Sequence, residues 1–119
     1  CWKLGEAIGR AVASWAGDEK VLILGTGGLS HQLDGERAGF INKDFDLKFM
    51  DSLVGDDPQW ATQFSGHELV EQTGTQGIEL LMWLATRATL GAKVKDVFRN
   101  YHIPISNTAS GLMLMEPAV

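Results

Sequence analysis

Four consecutive apolar residues, Val21-Leu22-Ile23-Leu24, run directly into Gly25-Thr26-Gly27-Gly28-Leu29-Ser30-His31. A short run apolar on both alternating faces predicts a strand covered on both sides, as in a parallel sheet. Its glycine-rich exit would deliver the following side chains to the carboxyl edge of that sheet, where α/β proteins place ligands. Around this run the sequence alternates helical and extended patterns. Trp2, Leu4, Ile8, Ala11, Val12 and Trp15 recur at three- and four-residue spacing and predict an amphipathic helix over 2–16, closed by Gly17. Asn42 can cap a helix over about 43–54, with Phe45, Phe49, Met50 and Leu53 inward and Gly55 as its stop. Asp57-Pro58 opens a short helix around Trp60 and Phe64. Ser65-Gly66-His67-Glu68 is a capping-box pattern for a helix to about Thr73. An apolar helix from about Ile78 to Leu90 follows, then strands over 94–101 and 111–116. The expected fold is α/β, part of a three-layer-like domain with a central, mostly parallel or mixed sheet flanked by helices.

Composition removes several function classes. The 119 residues carry a net charge of -5, so phosphate neutralisation by a Lys/Arg surplus is not available and nucleic acid is not an expected partner. Apolar residues make up 45%, with four Trp and five Phe, which excludes a disordered chain. No apolar run approaches the ~20 residues needed to span a bilayer, so no membrane role is expected. The single cysteine, Cys1, excludes an internal disulfide framework and a Cys-based zinc site. Without a signal-peptide pattern, a cytoplasmic setting is the default. The chain starts on Cys rather than Met and ends directly after an apolar strand-like run, so both ends look cut from a longer protein.

The glycine loop is not a nucleotide motif. A dinucleotide fingerprint needs glycine where Ser30 stands, and a phosphate loop needs a lysine that is absent. The loop does offer His31, which at such an edge suits general acid/base work or metal ligation, or simply bonds a loop carbonyl. Glu79 lies in the first turn of an otherwise apolar helix. A carboxylate there needs a partner, either the helix N-terminus or a metal such as Fe(II), Mn or Mg. His67, inside the capping box, reads as solvated surface, and His102 as structural. Ser106-Asn107-Thr108 is a cluster of short hydrogen-bonding groups, consistent with turn chemistry or with recognition of an anionic or hydroxylated ligand. Ser30 beside His31 lacks a nucleophile elbow, so a hydrolase is a weak reading.

Four blocks taken together carry a resemblance: Gly25 to Leu33, Arg37 to Lys43, Gly77 to Leu80, and Tyr101 to Ala109. In order and spacing, across essentially the whole chain, they resemble the class III extradiol ring-cleaving dioxygenases. The Asp34 to Arg37 turn and the His102 to Ile105 run look more like the gallate-cleaving members than the protocatechuate 4,5-cleaving ones. The resemblance implies a non-haem Fe(II) enzyme that cleaves a catecholic ring with O2. Glu79 matches the family's glutamate iron ligand, and His31 its acid/base histidine. Ser106 and Asn107 match the segment that receives the substrate carboxylate. The two ligand histidines of the family have no counterpart here. Residues 1–119 are therefore expected to be the C-terminal part of one catalytic domain, inactive alone, from a parent that works as a homo-oligomer, a dimer. The competing expectation is a non-catalytic α/β domain that binds a small anion or serves in assembly.

Overall fold

A computed structural model describes residues 1–15, 17–33, 35–91, 93–105 and 108–117. Four α-helices and a hairpin form the regular structure: α1 (Trp2–Ala13), α2 (Lys43–Val54), α3 (Gly66–Thr73), α4 (Leu80–Ala88), β1 (Val94–His102) and β2 (Ser110–Pro117). Two 3-10 turns, Trp60–Gln63 and Gly77–Glu79, precede α3 and α4 respectively. Helix and strand are mixed, as an α/β reading requires. The sheet of the described residues, however, is two-stranded and antiparallel, not a central parallel one.

Local signals placed the middle helices. Asn42 accepts a hydrogen bond from the Phe45 amide at 3.1 Å and so starts α2. Ser65 and Glu68 close a reciprocal capping box at the start of α3, with bonds of 3.0 and 3.1 Å. These contacts satisfy amides that the first helical turn leaves without partners.

The core forms between α2, α4 and the hairpin. Leu29, Phe49, Met50, Leu53, Leu80 and Leu84 are buried together, and Tyr101, Met113 and Met115 press on them from the sheet. Phe45, Trp60 and Phe64 extend the cluster, with ring centroids 5.2 to 5.5 Å apart in tilted or edge-on geometry. In β2 the odd positions face this core, while Leu112 and Leu114 point outward and are exposed together with Phe98 of β1. A bulge between Asp96 and Phe98 interrupts the register.

Two expectations require correction. The Val21–Leu24 run is not a strand. It has no ladder partner among the described residues, and Leu22 and Leu24 are 71% and 75% exposed. A strand exists only by pairing, so apolarity on both faces is not sufficient to create one. The second correction concerns α1, whose Leu4 and Ile8 are exposed while the buried residue is Gly5. Here α1 meets α4 backbone to backbone. A Cβ on Gly5 would lie 2.0 Å from the Ala85 carbonyl oxygen, and one on Gly9 2.7 Å from that of Thr89. The missing side chains permit the approach, and of the apolar stripe Trp2 packs against the core while Leu4 and Ile8 are left exposed.

Arg87 ties the helices together from inside. Its side chain is buried, its Nε–H donates to the Leu53 carbonyl at the end of α2 at 2.6 Å, and a second nitrogen donates to Gly91. A cation there also meets the negative end of the α2 dipole. Burial pulls the guanidinium pKa down from its ordinary value. Replacing it by methionine keeps the volume but leaves Leu53 without its donor. In the full-length protein, Arg87→Met should cost about 1.5–3 kcal/mol in urea unfolding, and a loss near zero would show that the bond carries no net stability.

Candidate functional site

His31 and Glu79, 48 residues apart in sequence, meet. His31 Nε2 lies 3.1 Å from Glu79 Oε1. The two ends of this contact are held very differently. His31 is only 5% exposed, whereas the Glu79 side chain is 47% exposed.

Two separate segments fix the backbone around His31. Its amide donates to the Thr73 carbonyl at the end of α3, at 2.8 Å. The preceding residues pair with the segment before β2: Leu29 N–H donates to Ala109 O at 2.9 Å, and Ala109 N–H to Ser30 O at 3.1 Å. An isolated antiparallel bridge joins His31 to Thr108. The ring is fixed as well, because Nδ1 sits 2.8 Å from the Leu29 carbonyl. A carbonyl only accepts, so Nδ1 carries the hydrogen and donates it. Nε2 is left as the nitrogen that can take up or release a proton, and it is the one facing Glu79. Bonding to a loop carbonyl and facing a carboxylate are thus not alternatives; the two ring nitrogens divide these tasks.

Glycines make the close approach possible. Gly27 adopts φ +115°, a left-handed backbone, and a Cβ there would stand 2.7 Å from the Cβ of Glu79. A Cβ on Gly28 would reach the His31 ring at 3.2 Å and Thr108 at 3.1 Å. Trp83 of α4 donates its indole N–H to the Gly27 carbonyl at 3.0 Å, fastening the loop to the helix that follows Glu79. Glu79 itself stands in the 3-10 turn ahead of α4 and not within a buried apolar helix. That position explains its exposure.

Other sequence candidates fall elsewhere. His67 is solvent-facing, its side chain 82% exposed and paired with Glu71 four residues on, as its place in a capping box indicated. His102 is exposed at the end of β1. Ser106 and Asn107 lie outside the described residues, as does Asp34 of the expected turn. Their neighbour Thr108 is bridged to His31.

Sequence reasoning missed Asp46. It is fully buried, accepts from the Ser30 amide, Ser30 hydroxyl and Tyr101 hydroxyl, and lies one residue along from His31 in this network. Burial pushes its carboxyl up, while the Ser30 and Tyr101 bonds pull it down less strongly. The same surroundings push the Tyr101 phenol strongly upward. A readable signal existed: positions 46, 49, 50 and 53 form one helical stripe, so an acid sits on the face whose other members are Phe49, Met50 and Leu53.

The donor set fits a divalent metal in part. Glu79 offers a half-exposed carboxylate, an oxygen donor suited to Fe(II), Mn or Mg. Among the described residues no group of three His, Cys, Asp or Glu converges to complete such a site. Further ligands would have to come from outside the described residues.

Comparison with known proteins gives this geometry a context. A family model described as the catalytic LigB subunit of aromatic ring-opening dioxygenase matches residues 1–111. Gallate dioxygenase of Pseudomonas putida is 43% identical over 116 residues, which covers 98% of this chain and 34% of that protein. A 2,3-dihydroxyphenylpropionate/2,3-dihydroxicinnamic acid 1,2-dioxygenase of Azotobacter vinelandii is 31% identical over an alignment of 153 positions, covering 92% of this chain and 48% of that protein. The chain thus spans about a third of one relative and about half of the other.

Gly27→Ala should destabilise the full-length protein by about 1–3 kcal/mol from backbone strain alone, with crowding of Glu79 added. Gly91, also left-handed at φ +85° but with nothing within 4 Å of a Cβ, supplies the control. In denaturant titrations Gly27→Ala should lose more than Gly91→Ala, and equal losses would mean that the loop yields freely beside Glu79.

Proposed function

Because the chain belongs to the family of catalytic LigB subunits of aromatic ring-opening dioxygenases, we propose that its full-length protein is a non-haem Fe(II) extradiol dioxygenase that opens the ring of gallate with O2. One contact carries the reading: a buried imidazole, held through Nδ1 on a loop carbonyl, whose Nε2 lies 3.1 Å from a half-exposed carboxylate. The 43% identity to a gallate dioxygenase favours gallate over protocatechuate as the substrate. Residues 1–119 are read as the C-terminal part of a single catalytic domain, and the full-length protein as a homodimer. No helix among the described residues is long and apolar enough to cross a membrane.

Glu79 would hold the metal through a carboxylate oxygen, with the other ligands contributed from outside the described residues. Ferrous iron held there would supply Lewis acidity toward a catechol hydroxyl and a coordination position for O2. The remaining work falls to this chain. His31 keeps Nδ1–H on the Leu29 carbonyl throughout, so proton traffic is confined to Nε2. From there it takes the proton of a substrate hydroxyl and later returns one as the ring opens. Its burial keeps bulk water away from that exchange. Once protonated, His31 also presents a donor to negative charge developing on oxygen.

Ser106 and Asn107 would receive the substrate carboxylate. That Thr108, next in the chain, is bridged to His31 supports this reading. Gallate carries its carboxylate across the ring from its hydroxyls, which suits a receiving group separate from the acid/base.

Gallate-dependent O2 consumption by the full-length protein, loaded with Fe(II) anaerobically and then assayed in air-saturated buffer, tests the reading directly, and its absence there would overturn it. Glu79→Ala should abolish iron retention, measured by metal analysis after desalting. His31→Phe should keep iron but lower kcat by ~100-fold or more, the usual scale of a lost general acid/base. Ser106→Ala should raise KM for gallate and protocatechuate more than for catechol, and equal changes would remove the carboxylate contact.

A further inference from the structure

Asp46 has no part in the chemistry above, yet it is a fully buried carboxylate whose two oxygens both engage the residue preceding His31. Oδ1 accepts the Ser30 amide hydrogen at 3.0 Å, and Oδ2 accepts the Ser30 hydroxyl at 2.6 Å. Tyr101 of β1 adds a third donor to Oδ2 at 2.6 Å. The Ser30 hydroxyl in turn accepts the Asn42 amide at 2.8 Å, beside the cap of α2. Every member is satisfied, and among the described residues no buried side-chain nitrogen or oxygen is left without a partner. A carboxylate taken this far from water is costly unless it is matched by donors in this way.

The decisive feature is which peptide unit Asp46 grips. The Ser30 N–H belongs to the Leu29–Ser30 peptide, and the carbonyl of that same peptide is the acceptor for His31 Nδ1–H. A peptide unit is planar and stiff, so fixing its N–H also fixes the direction of its C=O. Donating that N–H to an anion also polarises the amide and makes its carbonyl a stronger acceptor, as in any hydrogen-bond chain. The order is therefore carboxylate, peptide plane, imidazole. We propose that Asp46 orients His31 through the Leu29–Ser30 peptide, as a positioning residue that holds the imidazole tautomer with Nε2 toward the reacting groups.

This role rests on the acid/base reading of His31. A carboxylate bonded straight to the imidazole would be the shorter solution, but the backbone of residues 29–31 is already committed to Ala109 and Thr73. A single peptide inserted between acid and imidazole lets the orienting charge sit in the core while the ring faces the site. Tyr101 extends the assembly to β1, whose far end leads into the segment proposed to take the substrate carboxylate.

The test is a double-mutant cycle on the iron-loaded full-length protein, with gallate as substrate. Asp46→Asn keeps the side chain's shape and removes its charge. It should lower kcat by about tenfold, as losses of supporting partners commonly do, while KM and iron content stay within about twofold of the parent. In a His31→Phe background, where no imidazole remains to be oriented, the same change should lower kcat by less than twofold. A general structural role would repeat the full loss in both backgrounds and would overturn the proposal. So would an Asp46→Asn enzyme with parental kcat when His31→Phe is impaired. If His31→Phe itself keeps parental turnover, the acid/base reading fails first and takes this one with it. Should Asp46→Asn not fold, Ser30→Ala, which removes the hydroxyl bond to Oδ2 and the acceptor of the Asn42 amide while leaving the Ser30 amide on Oδ1, carries the same cycle with an expected loss of about threefold. Additivity with His31→Phe there would be equally fatal.

Discussion

Three backbone hydrogen bonds, Leu29 to Ala109, Ala109 to Ser30 and His31 to Thr73, hold together pieces of chain up to 80 positions apart. The candidate site depends on them more than on any side chain. They seat the glycine-rich exit between the end of α3 and the entry to β2, so that His31 emerges against the 3-10 turn bearing Glu79. Neither residue is placed by its own helix or strand. Both lie on connecting segments whose geometry is set by pairing and by glycines, which is where binding groups concentrate in folded proteins.

Around this seam the polar groups are handled with economy. The buried guanidinium of Arg87 ends on main-chain carbonyls, and the buried carboxylate of Asp46 ends on one amide and two hydroxyls. Neither of those bonds pairs a buried charge with an opposite one. Each of those bonds ends on a neutral dipole, which fixes direction as well as energy, because charge-assisted bonds are the stronger and shorter ones. Opposite charges meet mainly at the surface, where Arg99 bridges Asp96 of its own strand and Asp51 of α2. Those two carboxylates hold the Arg99 guanidinium above its ordinary pKa against the opposing effect of burial.

What could be read from the sequence was local. Asn42, Ser65 and Glu68 are capping signals whose partners lie three residues away, and α2 and α3 start where they indicate. The hairpin strands were legible from their extended pattern. The Val21–Leu24 run was not, because strand identity depends on a neighbour that a single segment cannot announce. The facing of α1 was hidden for a related reason: glycines make contact by what they lack, and a count of apolar side chains overlooks them. At the site, His31 and Glu79 were visible as chemistry-bearing types in telling places. Asp46 was passed over because its partners, Ser30 and Tyr101, are 16 and 55 positions away. The setting of Glu79 was also misjudged: an apolar helix implied burial, while a 3-10 turn at its start leaves the carboxylate half in solvent.

That turn bears on how fast the histidine–glutamate contact can be remade. Glu79's amide is bonded to the Gln76 carbonyl at 3.2 Å, so its main chain is anchored, yet its side chain has solvent on one side. His31, by contrast, is clasped at backbone and ring. Of the two partners only the glutamate has room to swing, and such rotamer changes in exposed side chains take picoseconds to nanoseconds. The contact can therefore open and close by a few bond rotations of one side chain, the imidazole staying where its backbone and ring bonds hold it.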